Sequence, residues 1–238
     1  MMRDLRQTAE KPIATNPQLI PEWDAQVFPT LSNVQCLDPN FVNHTNDNNK
    51  NAVIIPDYWL RKNRTRDPAA QCTVVGMAFR DYGYKMLDLW LTPIQQSQVA
   101  TSTDRIETVK LLLNEGYVSK YLLQGIVTRS MRANTPPEQL ASTWIYFGGP
   151  ELNGQIRDPL RAHNLLTAYI YLLDGMGRVR FAASGPPQDD GEVALLQSLI
   201  QELMQPTLQH KQKTTLHSSS SSSSLKKRRG TSSKPIRK

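Results

Sequence analysis

The sequence predicts an α/β sandwich in which parallel strand–helix units come first and an antiparallel hairpin with a closing helix comes last. Three stretches carry this reading. Cys72–Phe79 (CTVVGMAF) is a nearly unbroken apolar run of strand length, suited to a central strand covered on both faces. Thr167–Gly185 (TAYIYLLDGMGRVRFAASG) places an apolar strand, a glycine-rich turn and an alternating strand in succession, which spells a β-hairpin. After it, Val193, Leu196, Leu199, Ile200 and Leu203 recur at spacings of three and four, the pattern of an amphipathic helix.

Between these landmarks the elements fall in order. Arg80–Gln96 reads as a helix with Tyr82, Met86, Leu89, Trp90 and Pro93 on one face, kinked or ended by Pro93. Arg105–Leu113 suits helix and strand almost equally, and is assigned to strand because a β–α pair followed by further strands implies a parallel crossover. Gly116–Arg132 is expected to be a helix with Val118, Tyr121, Leu122, Gly125 and Ile126 inward. Thr135-Pro136-Pro137-Glu138 has the form of a capping box opening a short helix. Thr143–Phe147 is a strand stopped by Gly148-Gly149-Pro150, and Gln155–His163 a short helix. In the hairpin, Asp174, Gly175 and Gly177 form the turn and Gly185 closes the second strand. The first hairpin strand is apolar on both faces, whereas the second is expected to show one face to water. Parallel units followed by a closing hairpin describe a thioredoxin-like sandwich.

The flanks differ in kind. Residues 1–70 are rich in Pro and Asn with little periodicity, so they are expected to form an extended or partly disordered arm, with regular structure beginning at Cys72. Within the arm, Asn43–Asn51 (NHTNDNNKN) reads as a polar link, and Tyr58-Trp59-Leu60 as the segment that docks the arm on the domain. The domain spans 71–205. From 206 to 238 the chain is a Ser-rich basic tail, with a serine run over Ser218–Ser224, that cannot bury enough apolar surface to fold alone. The net charge of +7 belongs to that tail: it holds nine Lys or Arg and no acid. Taking those nine from the 28 leaves 19 basic against 21 acidic residues in the rest. The cluster Lys226–Arg229 could meet phosphates of nucleic acid, anionic lipid heads or acidic protein, but a solubilising extension explains it equally, and nucleic-acid binding through it is not favoured.

No run of 18 apolar residues is present, so no stretch reads as a membrane-spanning helix. The first residues mix Arg3, Arg6 and Lys11 with Asp4 and Glu10, which makes a poor transit peptide: a presequence has been removed or the import signal is atypical. Asn43-His44-Thr45 and Asn63-Arg64-Thr65 match a glycosylation sequon, a match common by chance.

The candidate chemistries narrow quickly. Dithiol redox work needs a low-pKa thiolate at a helix N-terminus with a resolving thiol three residues on. The corresponding corner is Phe79-Arg80-Asp81-Tyr82, which contains no cysteine, and Leu166-Thr167-Ala168 stands where a proline would precede the hairpin. Cys36 and Cys72 have no metal or disulfide spacing, and burial would leave Cys72 inert. Gly175-Met176-Gly177 lacks the third glycine of a dinucleotide fingerprint and joins two strands. The four histidines (44, 163, 210, 217) do not cluster, and His163 reads as a capping or packing residue. Asp189-Asp190 reads as the start of the last helix. No catalytic residue, metal or cofactor is expected. Arginines remain. Arg129 and Arg132 lie on neighbouring turns of one helix, Arg157 and Arg161 on another, and Arg178 and Arg180 share one face of the hairpin strand. A solvated face is the ordinary explanation. Like charges crowded on one strand face make the hairpin the preferred binding patch: Arg178, Arg180, Phe181 and Ser184, with Arg129 and Arg132 beside them.

Taken together, FRDYGYKMLDLWLTPI (79–94), NEGY (114–117), RSMRANTPPE (129–138), TWIYFG (143–148) and RAHNLLTAYIYLLDGMGRVRFAASG (161–185) resemble the mitochondrial ATP synthase assembly factors of the ATPase-complex-subunit-ten family. The resemblance covers residues 70–205 and excludes both tails. It implies a thioredoxin-like domain without redox cysteines, peripheral on the matrix side of the inner mitochondrial membrane. It also implies a chaperone for the hydrophobic subunit a of the Fo sector, before that subunit joins the ring of c subunits. Family members commonly carry Trp and Gly where this chain has Phe181 and Ala183, so the hairpin contour is expected to differ. The leading expectation is a non-enzymatic assembly factor that binds subunit a, with other inner-membrane complex subunits as further partners, by adding a strand at a sheet edge. The rivals are a divergent thioredoxin- or peroxiredoxin-like enzyme using Cys72, and a structural subunit recruited to a larger complex through its arm and tail.

Overall fold

Every residue of the strand Cys72–Ala78 is buried, so both its faces must be covered, and the rest of the chain is laid down to do so. The computed structural model of the protein describes residues 12–41, 52–62, 71–101, 106–116 and 122–204. In chain order the elements are β1 (Leu31–Cys36), β2 (Ala52–Ile55), α1 (Asp57–Lys62), β3 (Cys72–Ala78), α2 (Asp81–Thr101) and β4 (Ile106–Glu115). There follow α3 (Gln124–Asn134), β5 (Thr143–Gly148), β6 (Ala168–Asp174), β7 (Val179–Ser184) and α4 (Asp190–Met204). A 3-10 helix (Pro137–Ser142) precedes β5, and a short helical stretch, Asn153–Arg157 then Asp158–Leu160, precedes β6.

The strands form one seven-stranded sheet in the order β2-β1-β5-β4-β3-β6-β7. β3, β4 and β5 are parallel, with Val75 opposite Val109 and Leu112 opposite Ile145. β6 runs antiparallel to β3, and β7 antiparallel to β6. This is the predicted thioredoxin-like sandwich. On one face, α2 and α4 bury Leu87, Trp90, Leu91, Leu196, Leu199 and Ile200 against Val74, Ile170, Leu172 and Phe181. Gly76 permits that approach, since a Cβ there would fall 2.8 Å from a Leu91 methyl. The other face packs Val75, Met77, Trp144, Tyr169 and Tyr171 under Phe28, Trp59, Ile156 and Leu160.

Regular structure begins well before Cys72, which corrects one expectation about the arm. β1 pairs antiparallel with β5, and β2 pairs with β1, so the arm extends the sheet by two strands. Trp59 does dock, and deeply: it is 0% exposed, its ring 6.2 Å from that of Trp144 and 6.4 Å from Phe28. The run Asn43–Asn51, residues 1–11 and the tail from 206 to 238 lie outside the described residues.

Two helix faces and one cap also need correction. In α2 the buried positions are Leu87, Trp90, Leu91 and Ile94, whereas Tyr82 and Leu89 are exposed. Pro93 does not end α2; the hydrogen bond it forfeits is that to the carbonyl of Leu89, an exposed residue. In α3 the inward residues are Val127 and Met131, which pack on Leu112, Ile145 and Phe147, while Gly125 and Ile126, and Leu122 just before the helix, face outward. Val118 and Tyr121 lie outside the described residues. The capping box does not form: the Thr135 hydroxyl donates back to the Met131 carbonyl at 2.8 Å, and Pro136 takes the N-cap position. Asp189 behaves as predicted, its carboxylate accepting the Glu192 amide at 3.1 Å.

Lys110 ties these layers together. It is 1% exposed on β4, pairs with Asp88 of α2, donates to Gln139 at 2.7 Å, and lies 5.4 Å from the centre of the Tyr84 ring. Asp88→Ala would leave a buried ammonium without its counter-charge, so we expect a loss of about 3 kcal/mol in the urea-unfolding free energy. Trp59→Ala should cost about 3–5 kcal/mol by the same measurement, because the arm is part of the core.

Candidate partner-binding site

The hairpin is built around one carboxylate. Asp174 Oδ1 accepts the amides of Met176 at 2.9 Å and Arg178 at 3.0 Å, which closes the turn, while Gly177 takes a positive φ of 77°. Its second oxygen accepts from Arg178 Nε at 2.7 Å and lies 3.5 Å from an Arg180 terminal nitrogen. Glu22 answers both arginines from the N-terminal segment, at 3.2 Å from Arg178 and 3.8 Å from Arg180. The hydrogen bond that Arg178 donates to Asp174 is the chief reason its guanidinium is held charged more firmly than usual.

The outer edge of β7 is therefore occupied by the chain itself. The Ile20 amide donates to the Arg180 carbonyl at 2.7 Å, the Val179 amide to Gln26 at 2.8 Å, and the Phe28 amide to Gly177 at 2.8 Å. Arg180 Nε donates to the Ile20 carbonyl at 2.7 Å, and the Ser184 hydroxyl both accepts the Ile13 amide at 2.8 Å and donates to its carbonyl at 3.1 Å. The expected water-facing side of β7 is corrected accordingly. Phe181 and Ser184 are 0% exposed, Arg180 is buried, and Arg178 keeps a partial exposure at the turn. Three large apolar side chains stay outward near this end of the hairpin, Trp23, Val27 and Met176 at 90%, 64% and 72% exposed, interspersed with the exposed Glu22, Asp24 and Gln26.

Arg129 and Arg132 stand elsewhere, on α3. With Gln35, Gln124, Gly125 and Thr128 they line an open groove of about 430 Å³. Arg132 Nε donates to the Leu37 carbonyl at 2.7 Å, which fixes α3 against the end of β1. The structure therefore does not gather the six expected contact residues into one surface. The missed participants are Glu22, 152 residues before Asp174 in sequence, and the apolar trio around Arg178, for which no sequence periodicity gives a sign.

At the C-terminal ends of β3 and β4, where a redox corner would lie, a cavity of about 50 Å³ is lined by Phe79, Arg80, Asp81, Tyr84 and Asn114 among others. Beside it Arg157 pairs with Glu115 and stacks 5.3 Å above the Phe79 ring. Cys72 is at the far end of β3, and burial pushes its thiol from the ordinary 9.0 up to about 12. Cys36 packs on the opposite sheet face and three strands away, roughly 14 Å at the usual strand spacing, so the two cannot bridge. Among the described residues no cluster of His, Cys, Asp and Glu could hold a metal ion.

The family described as ATP10 protein matches residues 61–203, more than half of the chain and nearly all of the domain. The chain belongs to the ATP10 protein family. Membership implies a role in ATP synthase assembly. No curated protein matches the chain. Similar solved structures include a putative thiol:disulfide interchange protein DsbE from Chlorobium tepidum, 14% identical, covering 75% of this chain and 96% of that one at a TM-score of 0.43. A putative protein disulfide isomerase from Bacteroides thetaiotaomicron is 10% identical, covering 82% and 97% at 0.43. AhpC of Mycobacterium tuberculosis is 9% identical, covering 74% and 91% at 0.40.

Buried acids with raised pKa values make this ATP10 protein sensitive to alkali. Cys72 rises to about 12, and burial likewise lifts Tyr169 from 10.0 to about 12. The fold keeps these protons while the unfolded chain releases them, so stability is full below about 9 and falls as pH rises toward 12. The urea midpoint should stay level from neutral pH to about pH 9 and drop as the pH is raised beyond that. Native Cys72 should also react with a thiol reagent far more slowly than in the unfolded chain.

Proposed function

We propose that this ATP10 protein is a non-enzymatic assembly factor that holds subunit a of the Fo sector before it joins the c ring, on the matrix side of the inner mitochondrial membrane. The observation that carries the proposal is the family match over residues 61–203. The thiol arrangement supports the non-enzymatic part: Phe79-Arg80-Asp81-Tyr82 offers no nucleophile at the helix start, and Cys72 is buried with a pKa far above neutrality. Peripheral attachment is supported because, among the described residues, no helix is long and apolar enough to cross a membrane.

The contact is assigned to the turn end of the hairpin. Trp23, Val27 and Met176 crowd around Arg178: Val27 forms a β-bridge with Arg178, and Glu22, next to Trp23, is its ion-pair partner. Exposed Trp and Met rimmed by a charged pair suit an apolar helix of a membrane subunit, and the aromatic anchor would carry most of the binding. Residues Phe181, Arg180 and Ser184 act from below by holding the N-terminal segment in place.

Cells lacking the gene should contain less assembled ATP synthase, with synthesis of subunit a unchanged, as read by native gels and pulse labelling. The wild-type chain should restore assembly and retain subunit a on purification. A Trp23→Ser/Met176→Ser chain should retain at least tenfold less, a loss of about 1.4 kcal/mol or more in affinity. Normal assembly in the deletion would remove the proposal.

A further inference from the structure

Helix α3 and the helical turn that leads into it, Leu122-Leu123, turn an apolar stripe to solvent. Leu122, Leu123 and Ile126 are 76%, 39% and 68% exposed, three large apolar side chains in a five-residue span. At helical spacing the stripe passes Gly125, where a Cβ would meet nothing within 4 Å, and reaches the exposed Arg129. Beside it runs the groove of about 430 Å³ lined by Gln35, Gln124, Gly125, Thr128, Arg129 and Arg132. That lining contains two guanidinium groups and no carboxylate, and the Thr128 hydroxyl is buried without a hydrogen-bond partner among the described residues. The sequence from 116 to 134 holds Lys120, Arg129 and Arg132 and no acid.

We propose that α3 seats the protein on an anionic lipid surface. Leu122, Leu123 and Ile126 enter the boundary between headgroups and acyl chains, and Arg129 and Arg132 meet lipid phosphates at the groove. Apolar side chains followed along one helix face by arginines, with no acid between them, make an interfacial helix. Charge complementarity favours lipid over an apolar protein helix. A lipid surface supplies an apolar layer and a phosphate layer in sequence, whereas an apolar helix would cover the stripe and leave the exposed Arg129 guanidinium unanswered. This inference rests on peripheral attachment, part of the function proposed above, and names the element that makes it.

The test uses the full chain carrying Gly125→Cys, labelled on the new thiol with an environment-sensitive fluorophore. Cys36 and Cys72 are buried, so the label goes to the exposed site. The probe surfaces are vesicles of phosphatidylcholine alone and of phosphatidylcholine with a minority of phosphatidylglycerol. A blue shift with severalfold brighter emission is expected on the anionic vesicles and not on the neutral ones. Leu122→Ser/Ile126→Ser should abolish most of it, and Arg129→Gln should at least halve it. These side chains are exposed, so unchanged circular dichroism will confirm that the variants fold. Vesicle sedimentation without a blue shift would mean that another segment, such as the basic tail, makes the contact, and would overturn the proposal. So would a shift given only by an added apolar peptide, or one of equal size on neutral vesicles. Because the readout contains no ATP synthase, failure here is distinct from failure of the assembly role, which the deletion experiment reads.

Discussion

β3 and β6 lie side by side with every residue buried, and neither can show a face to water. That single requirement dictates the layers. One face of the pair is met by α2 and α4, joined to the hairpin by the Trp90 indole nitrogen, which donates to the Gly185 carbonyl at 2.8 Å. The opposite face has no long helix available after β5. It is closed by short pieces drawn from distant parts of the chain: Phe28, Trp59 and the stretch ending at Leu160. The aromatic content of that face follows from the arrangement. Short covering segments contribute few side chains each, so each must bury a large area.

The same need explains the N-terminal segment along β7. An edge strand offers unpaired amides and carbonyls and invites pairing with other chains. Here the chain pairs with itself, and Arg178 and Arg180 are the clasps: a guanidinium on the Ile20 carbonyl, carboxylates of Asp174 and Glu22 around both, and a serine hydroxyl at Ile13. Two arginines on one strand face are unfavourable alone and favourable once two carboxylates sit among them. Their charge serves closure of the sheet. A partner that adds a strand at this edge would have to displace the segment first, which is why the exposed turn end is the more economical place for contact.

Sequence reading reaches the strands and helices wherever one local pattern decides them. The apolar runs of β3 and β6, the Asp-Gly-Met-Gly turn and the three-and-four spacing of α4 each need no knowledge of distant residues. β1 is missed for a local reason as well. Asn33 adopts a φ of 63° and the pairing with β2 shifts between Leu31 and Val34, so two core residues lie three apart where a strand alternates by two. In α3 the apolar residues on two sides compete, and tertiary contact with Leu112 and Ile145 selects Val127 and Met131 over Leu122 and Ile126. The site is less legible than the fold. Arg178 and Arg180 are visible as a charge pair, but Glu22, which changes their meaning, joins them only through the folded path of the chain.

The corner at the start of α2 holds no thiol and is filled by charged side chains. The N-terminus of a 21-residue helix favours negative charge, and in a dithiol enzyme that preference stabilises a thiolate. In this chain Asp81 occupies the first turn, so a carboxylate already satisfies the dipole. Across the strand ends, Arg157 is held by Glu115 and by Asn153 at 2.7 Å and lies over Phe79, which walls the corner with a charged pair where a substrate disulfide would approach. Gly83 keeps α2 close to the hairpin, since a Cβ there would sit 2.6 Å from the Thr167 carbonyl oxygen. The helix is thus pressed onto the loop before β6. The large apolar side chains left exposed on this fold include those at the hairpin end and beside the outward face of α3, the two surfaces to which contacts are proposed above.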